Sequence, residues 1–241
     1  MQFFRSSRYV ALILVLGTVG LVKAAIIAPG APDFKMVMQV GTGAPYPLTA
    51  TSVTPIQQGD KWAYQVDGTY NQHGYEMSVS FTIEPDPSVF GNVTIRDTTA
   101  TTQDYTFLFT FPASVSSPAL MNGSVGVTVT ADATPAVVAT TAPDALYQAL
   151  IDSTTVKTLL NHPFALPAAA FDSATATDRF GIPVPVSGPG VATDIGIKLH
   201  FNLTTGDQAG VTSQFTVNAV PEPTSLLGLA LGGLVLVRRR K

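Results

Sequence analysis

Side-chain chemistry near neutral pH has little to draw on in this chain, which holds three histidines, sixteen carboxylates and no cysteine. The missing thiol excludes disulfides, thiolate zinc sites and a cysteine nucleophile. His73, His162 and His200 lie far apart in the sequence, and none has a second histidine at the spacing that puts two ligands on one helix face. His73 falls in an expected turn, His162 precedes a proline, and His200 alternates in phase with Lys198 and Asn202, so each reads as a solvated side chain. Glycoside cleavage needs two carboxylates flanking the scissile bond. Glu84 and Asp86 are close, but Pro85 and Pro87 put them where a strand gives way to a loop, which argues against a catalytic pair. Asp194 and Asp207 offer oxygens of the kind calcium takes, without the Asp-x-Asp repeat that would support a site. Neither a Gly-x-Ser-x-Gly elbow nor a phosphate loop is present. The expectation is a protein that is not an enzyme and carries no cofactor or metal.

Binding is the other way a side chain can work. Trp62, the only tryptophan, could stack on a sugar ring from a surface position, but it alternates in phase with Tyr64 and Val66, which places it in the core. Asn92, Asn122 and Asn202 begin Asn-x-Ser/Thr triplets and read as ordinary strand and turn residues.

The elements that must carry these residues are strands. Trp62 to Val66 and Tyr75 to Ile83 alternate apolar and polar side chains, and Asn71 and Gly74 supply turn geometry between them, so residues 61 to 84 form a hairpin. The same period runs through 34–40, 92–96, 105–111, 124–131, 194–203 and 211–217, a working count of eight strands. One apolar face and one face rich in Thr and Ser describe antiparallel sheets covered on one side, and two such sheets make a sandwich. Pro143 to Asp152 breaks the rhythm. Leu146 and Leu150 fall four apart, as do Tyr147 and Ile151, with Thr141 and Pro143 as cap and first-turn proline, which predicts one short helix. Residues 163 to 190, rich in Pro, Ala and Gly, read as a long connection or linker, after which the last two strands complete the upstream sheets.

Both termini read as addresses. Met1 to Ala24 has Arg5 and Arg8 before an apolar run from Tyr9 to Val22, and Val22-Lys23-Ala24 fits the small-residue cleavage rule, so signal peptidase is expected to cut after Ala24. At the other end Pro221-Glu222-Pro223 precedes an apolar, Gly-containing run and then Arg238, Arg239, Arg240 and Lys241. Thr224 to Val237 as a helix would rise roughly 21 Å, short of the about 30 Å hydrocarbon core, which suits a transient inner-membrane stay better than a permanent span. The four cations hold their end on the cytoplasmic side. Between the termini lies one domain, residues 25–219, in which six basic residues face fifteen of the sixteen carboxylates. That balance repels phosphate backbones and excludes a nucleic-acid partner.

The segment 220–241 resembles the PEP-CTERM sorting signal of Gram-negative bacteria in all three of its parts, taken in order. The resemblance implies recognition of Pro221, Glu222 and Pro223 by an exosortase, removal of the tail, and delivery to the cell surface or extracellular matrix. The expected whole is an all-β, antiparallel β-sandwich with one short helix, flanked by a signal peptide and a sorting helix. Its expected work is structural or adhesive. The alternatives are a carbohydrate-binding module for the producer's exopolysaccharide and, third, a hydrolase using scattered carboxylates.

Overall fold

The computed structural model describes residues 30–220 apart from Asp60, His73 and Pro85, so the expected signal peptide and sorting helix lie outside the described residues. The described chain forms sixteen strands. In order they are β1 (Lys35–Val40), β2 (Tyr46–Leu48), β3 (Ser52–Gln58), β4 (Lys61–Gln72), β5 (Tyr75–Glu84), β6 (Ser88–Asp97), β7 (Gln103–Pro112) and β8 (Ala119–Thr130). There follow β9 (Ala136–Ala139), β10 (Ala145–Ile151), β11 (Thr154–Asn161), β12 (Ala165–Ala168), β13 (Ser173–Phe180), β14 (Val186–Gly188), β15 (Asp194–Leu203) and β16 (Gln208–Ala219).

All pairings are antiparallel and divide into two sheets. The first runs β11-β10-β15-β7-β1-β2, with the β9/β12 pair joined to β15; the second runs β13-β8-β16-β6-β5-β4-β3, with β14 beside β8. The last two long strands enter the middle of the two sheets, β15 between β10 and β7 and β16 between β8 and β6. The chain's final strand-turn-strand unit therefore passes from one layer to the other and locks both. Its turn, Thr204 to Asp207, uses Gly206 at a φ of 80°, which a side chain would resist.

Strict alternation builds the core. Strand β5 is buried at Tyr75, Met77, Val79, Phe81 and Ile83, and β7 at Tyr105, Phe107, Phe109 and Phe111. Phe81 of the second sheet stacks on Phe107 and Phe109 of the first with ring centroids 5.8 and 4.6 Å apart, and Tyr75 meets Tyr105 edge-on at 6.2 Å. Gly91, directly opposite Phe81, makes room for that ring: a Cβ there would come within 2.2 Å of it. Tyr147 crosses from the first sheet to donate its hydroxyl to the Gln214 carbonyl of the second, at 2.8 Å.

Two expectations need correction. Residues 145–151 are strand β10, not a helix, and all seven are buried. A strand covered on both faces shows no alternation, and its apolar run coincides with a helical spacing. The Pro-rich stretch 163–190 contains β12, β13 and β14, of which β13 is a full edge strand paired with β8 over eight residues.

Candidate functional site

The outward face of the second sheet is a continuous polar surface. One row across it runs Thr54, Gln65, Thr82, Phe90, Gln214, Ser124 and Arg179, each residue directly opposite the next on the neighbouring strand. The row beside it is Ser52, Asp67, Ser80, Asn92, Thr212, Gly126 and Thr177, and a third is Thr69, Ser78, Thr94, Gly210, Thr128 and Thr175. At about 4.8 Å between strands the full rows span roughly 29 Å. Hydroxyls and amides dominate, and of these positions only Asp67 and Arg179 carry charge. Hydrogen bonds tie these side chains together along the rows and between them. Gln65 Nε2 donates to Ser80 Oγ at 2.7 Å, Ser80 Oγ donates to Asp67 at 2.7 Å, and Thr82 Oγ1 donates to Gln65 Oε1 at 2.9 Å. Asn92 donates to Thr212 at 3.3 Å, and Thr128 pairs with Thr175 at 3.0 Å. Phe90, 52% exposed, stands in the middle of this face between Thr82 and Gln214.

The outward face of the first sheet holds the one assembled ionic cluster that includes a histidine among the described residues. His200 on β15 has Nδ1 2.7 Å from Asp144 Oδ2 and Nε2 2.9 Å from both oxygens of Asp104 on β7. Lys198 approaches Asp144 at 3.6 Å, and Asn202 donates to Thr141 at 2.7 Å. The bond to Asp104 raises the His200 pKa above its ordinary value; burial works against the rise, and Asp144 adds to it. Both ring nitrogens are engaged by carboxylates, so the ring has no free nitrogen with which to activate a nucleophile or bind a metal. The sequence missed Asp104 and Asp144, which join His200 only through the pairing of β7 with β15 and the chain entering β10.

The other sequence candidates are dispersed. His162 Nδ1 contacts the Thr140 carbonyl at 3.0 Å, and His73 lies outside the described residues. Asp86 pairs with Lys61, and Glu84 ends β5. Asp207 is buried and accepts from the Asp132 amide and the Thr204 hydroxyl, while Asp194 Oδ2 accepts from Thr193. Among the described residues no three His, Asp or Glu side chains converge as metal ligands would. Trp62 keeps the inward phase of Tyr64 and Val66 but stands at the end of β4 and is only half-buried. Asp97 is fully buried beside Tyr105, whose hydroxyl is pushed well above its ordinary pKa by burial and by the Asp97 charge.

No curated protein sequence matches the chain. Residues 219–241 match the sequence model of the PEP-CTERM protein-sorting motif. The motif contains Pro221, Glu222, Pro223 and the cations Arg238 to Lys241, the residues singled out for processing and orientation. The chain thus joins a two-sheet antiparallel sandwich to a PEP-CTERM sorting motif, and it is an exported protein, a substrate for exosortase processing sorted to the cell envelope or surface.

Proposed function

We propose that the mature protein, cut after Ala24 and at the Pro221-Glu222-Pro223 segment, is a non-enzymatic structural or adhesive component of the cell surface or extracellular matrix. The observation that carries this reading is the outward face of the second sheet. Its three central rows of hydroxyl and amide groups, roughly 29 Å across and charged only at Asp67 and Arg179 on an otherwise acidic domain, suit many weak hydrogen bonds to a hydrated polymer. Two arrangements support the non-enzymatic reading. His200 has both nitrogens occupied, and Asp86 is drawn toward Lys61 instead of facing a second carboxylate across a cleft.

The test is adhesion. Beads coated with the processed protein are counted on the producer's own extracellular matrix, beside beads carrying a Thr82→Glu/Phe90→Glu double variant that places two carboxylates in the middle of the face. Both positions point outward, so the fold tolerates them, and a fall of at least tenfold in retained beads is expected. Equal retention sinks the assignment of adhesion to this face.

A further inference from the structure

Glycine in the interior of a strand weakens it, and usually marks a bulge, a close internal contact or the approach of something from outside. The strand glycines of the second sheet fall into two groups. Gly91 and Gly123 point inward, and a Cβ on either would come within 2.2 Å of Phe81 or 2.6 Å of Phe180, so the core demands them. Gly126 and Gly210 point outward on the polar face. Neither has a positive φ, and both sit in unbroken register. A Cβ on Gly126 would meet only Thr177 Cγ2 at 3.6 Å, and one on Gly210 only Thr94 Oγ1 at 4.0 Å. Nothing inside the fold asks for these two glycines.

Their positions make a feature. They are diagonal neighbours, Gly126 opposite Thr212 on β16 and Gly210 opposite Thr128 on β8, so together they lower the floor of the face along an oblique line. At one end of that line a hollow of about 650 Å³ lies over Gly126, walled by Ser124, Thr177, Thr212, Asp178 and Arg179. At the other end, past Gly210, a hollow of about 360 Å³ is walled by Thr94, Gln208, Ser78 and Asn71. The path crosses from β13 to β4, roughly 24 Å at sheet spacing. Arg96 at its far end faces Glu76 at 3.7 Å.

We propose that this trough seats an extended strand of neutral polysaccharide. Hydroxyl and amide walls match a polyhydroxylated chain, and the oblique run suits a linear polymer better than a compact ligand. Charge decides against polyanions: both cations of the trough have an acid at hand, Arg179 sharing its hollow with Asp178 and Arg96 facing Glu76, within a domain rich in carboxylates. Phe90 on the same face offers an apolar surface on which a sugar ring can stack. The proposal rests on the reading of this face as the adhesive surface and names what it holds.

The experiment fills the trough. A Gly126→Val/Gly210→Val double variant adds side chains where space is open and raises strand propensity, so it folds at least as well as the parent. Full-length parent and variant are run by affinity electrophoresis through gels containing dextran, hydroxyethylcellulose or galactomannan, with alginate as the polyanion, and unfolding temperatures are measured alongside. The expected result is retardation of the parent by at least one neutral polymer and not by alginate, with at least a tenfold loss of affinity in the variant at an unchanged or higher Tm. Retardation by alginate alone, or by no neutral polymer, overturns the proposal. So does equal retardation of parent and variant; if Thr82→Glu/Phe90→Glu still abolishes adhesion, the adhesive face stands and only the trough fails.

Discussion

Replacing His200 with glutamine removes the cation held between two carboxylates, and the effect should depend on pH with a definite sign. Only the imidazolium donates from both nitrogens; the neutral ring keeps one donor and turns a lone pair toward the other carboxylate. Because the folded pKa lies above the unfolded value, chiefly through the bond to Asp104, the stabilisation is fully present below about pH 6.5. It disappears as pH rises through the higher folded pKa. Two hydrogen bonds to charged groups would each be worth about 1.5–3 kcal/mol if buried. The side chains of Asp104 and Asp144 are 31% and 33% exposed, so solvent screening reduces the sum. About 2 kcal/mol is a fair expectation near pH 5.5, or roughly 4–8 °C in Tm for a domain of this size. Urea and thermal unfolding of parent and His200→Gln from pH 5.5 to 9.5 provide the assay, with His162→Gln as control. The gap between parent and variant should be widest at the acid end and close toward pH 9.5. Parallel profiles across the range would falsify the doubly paired imidazolium.

Three further outcomes follow from packing, hydrogen bonding and sorting. Phe81→Ala empties the site between Phe107 and Phe109 and should cost about 3–5 kcal/mol, read as a lower urea midpoint; a loss under about 1 kcal/mol would mean the two aromatic layers do not interlock as described. Asp152 accepts from the amides of Ala192, Thr193 and Asp194 at 2.7–3.2 Å, and although burial works the other way these bonds hold its pKa below the ordinary value. Its contribution is therefore present above about pH 4 and lost as pH falls through the folded pKa, so Asp152→Asn should be less stable than the parent at pH 6 and draw level at acid pH; a constant gap at both would remove this role. Replacing Pro221, Glu222 and Pro223 together with alanine should leave Arg238 to Lys241 on the protein recovered from its own cells, which intact mass resolves, and a processed mass identical to the parent's would show that cleavage does not read those residues.

How much of this could be read in advance depends on whether a residue's role is local. The hairpin of β4 and β5, and the long strands β7, β8, β15 and β16, were legible because one covered face imposes a period of two on each strand separately. The polar outward face was legible for the same reason, as the other half of that period. Strand β10 was not, because Leu146 and Leu150 are buried as fully as Tyr147 and Ile151, and burial on both sides erases the alternation that distinguishes strand from helix. In β13 each inward Ala174 and Ala176 is small, so the apolar signal of that edge strand was weak and the surrounding prolines dominated the reading. The His200 cluster lay beyond any local rule. Asp104 is 96 residues from it and Asp144 is 56; the register that sets Asn202 against Asp104 brings up the first, and the register that sets Tyr147 against Leu199 brings up the second. The glycine trough has the same character. Gly126 and Gly210 are unremarkable in their own strands, and become diagonal neighbours only when β16 is laid against β8. The sorting motif is the opposite case: its proline spacer, apolar run and cations are contiguous, so where the protein goes was written locally while what it touches there depends on how distant strands align.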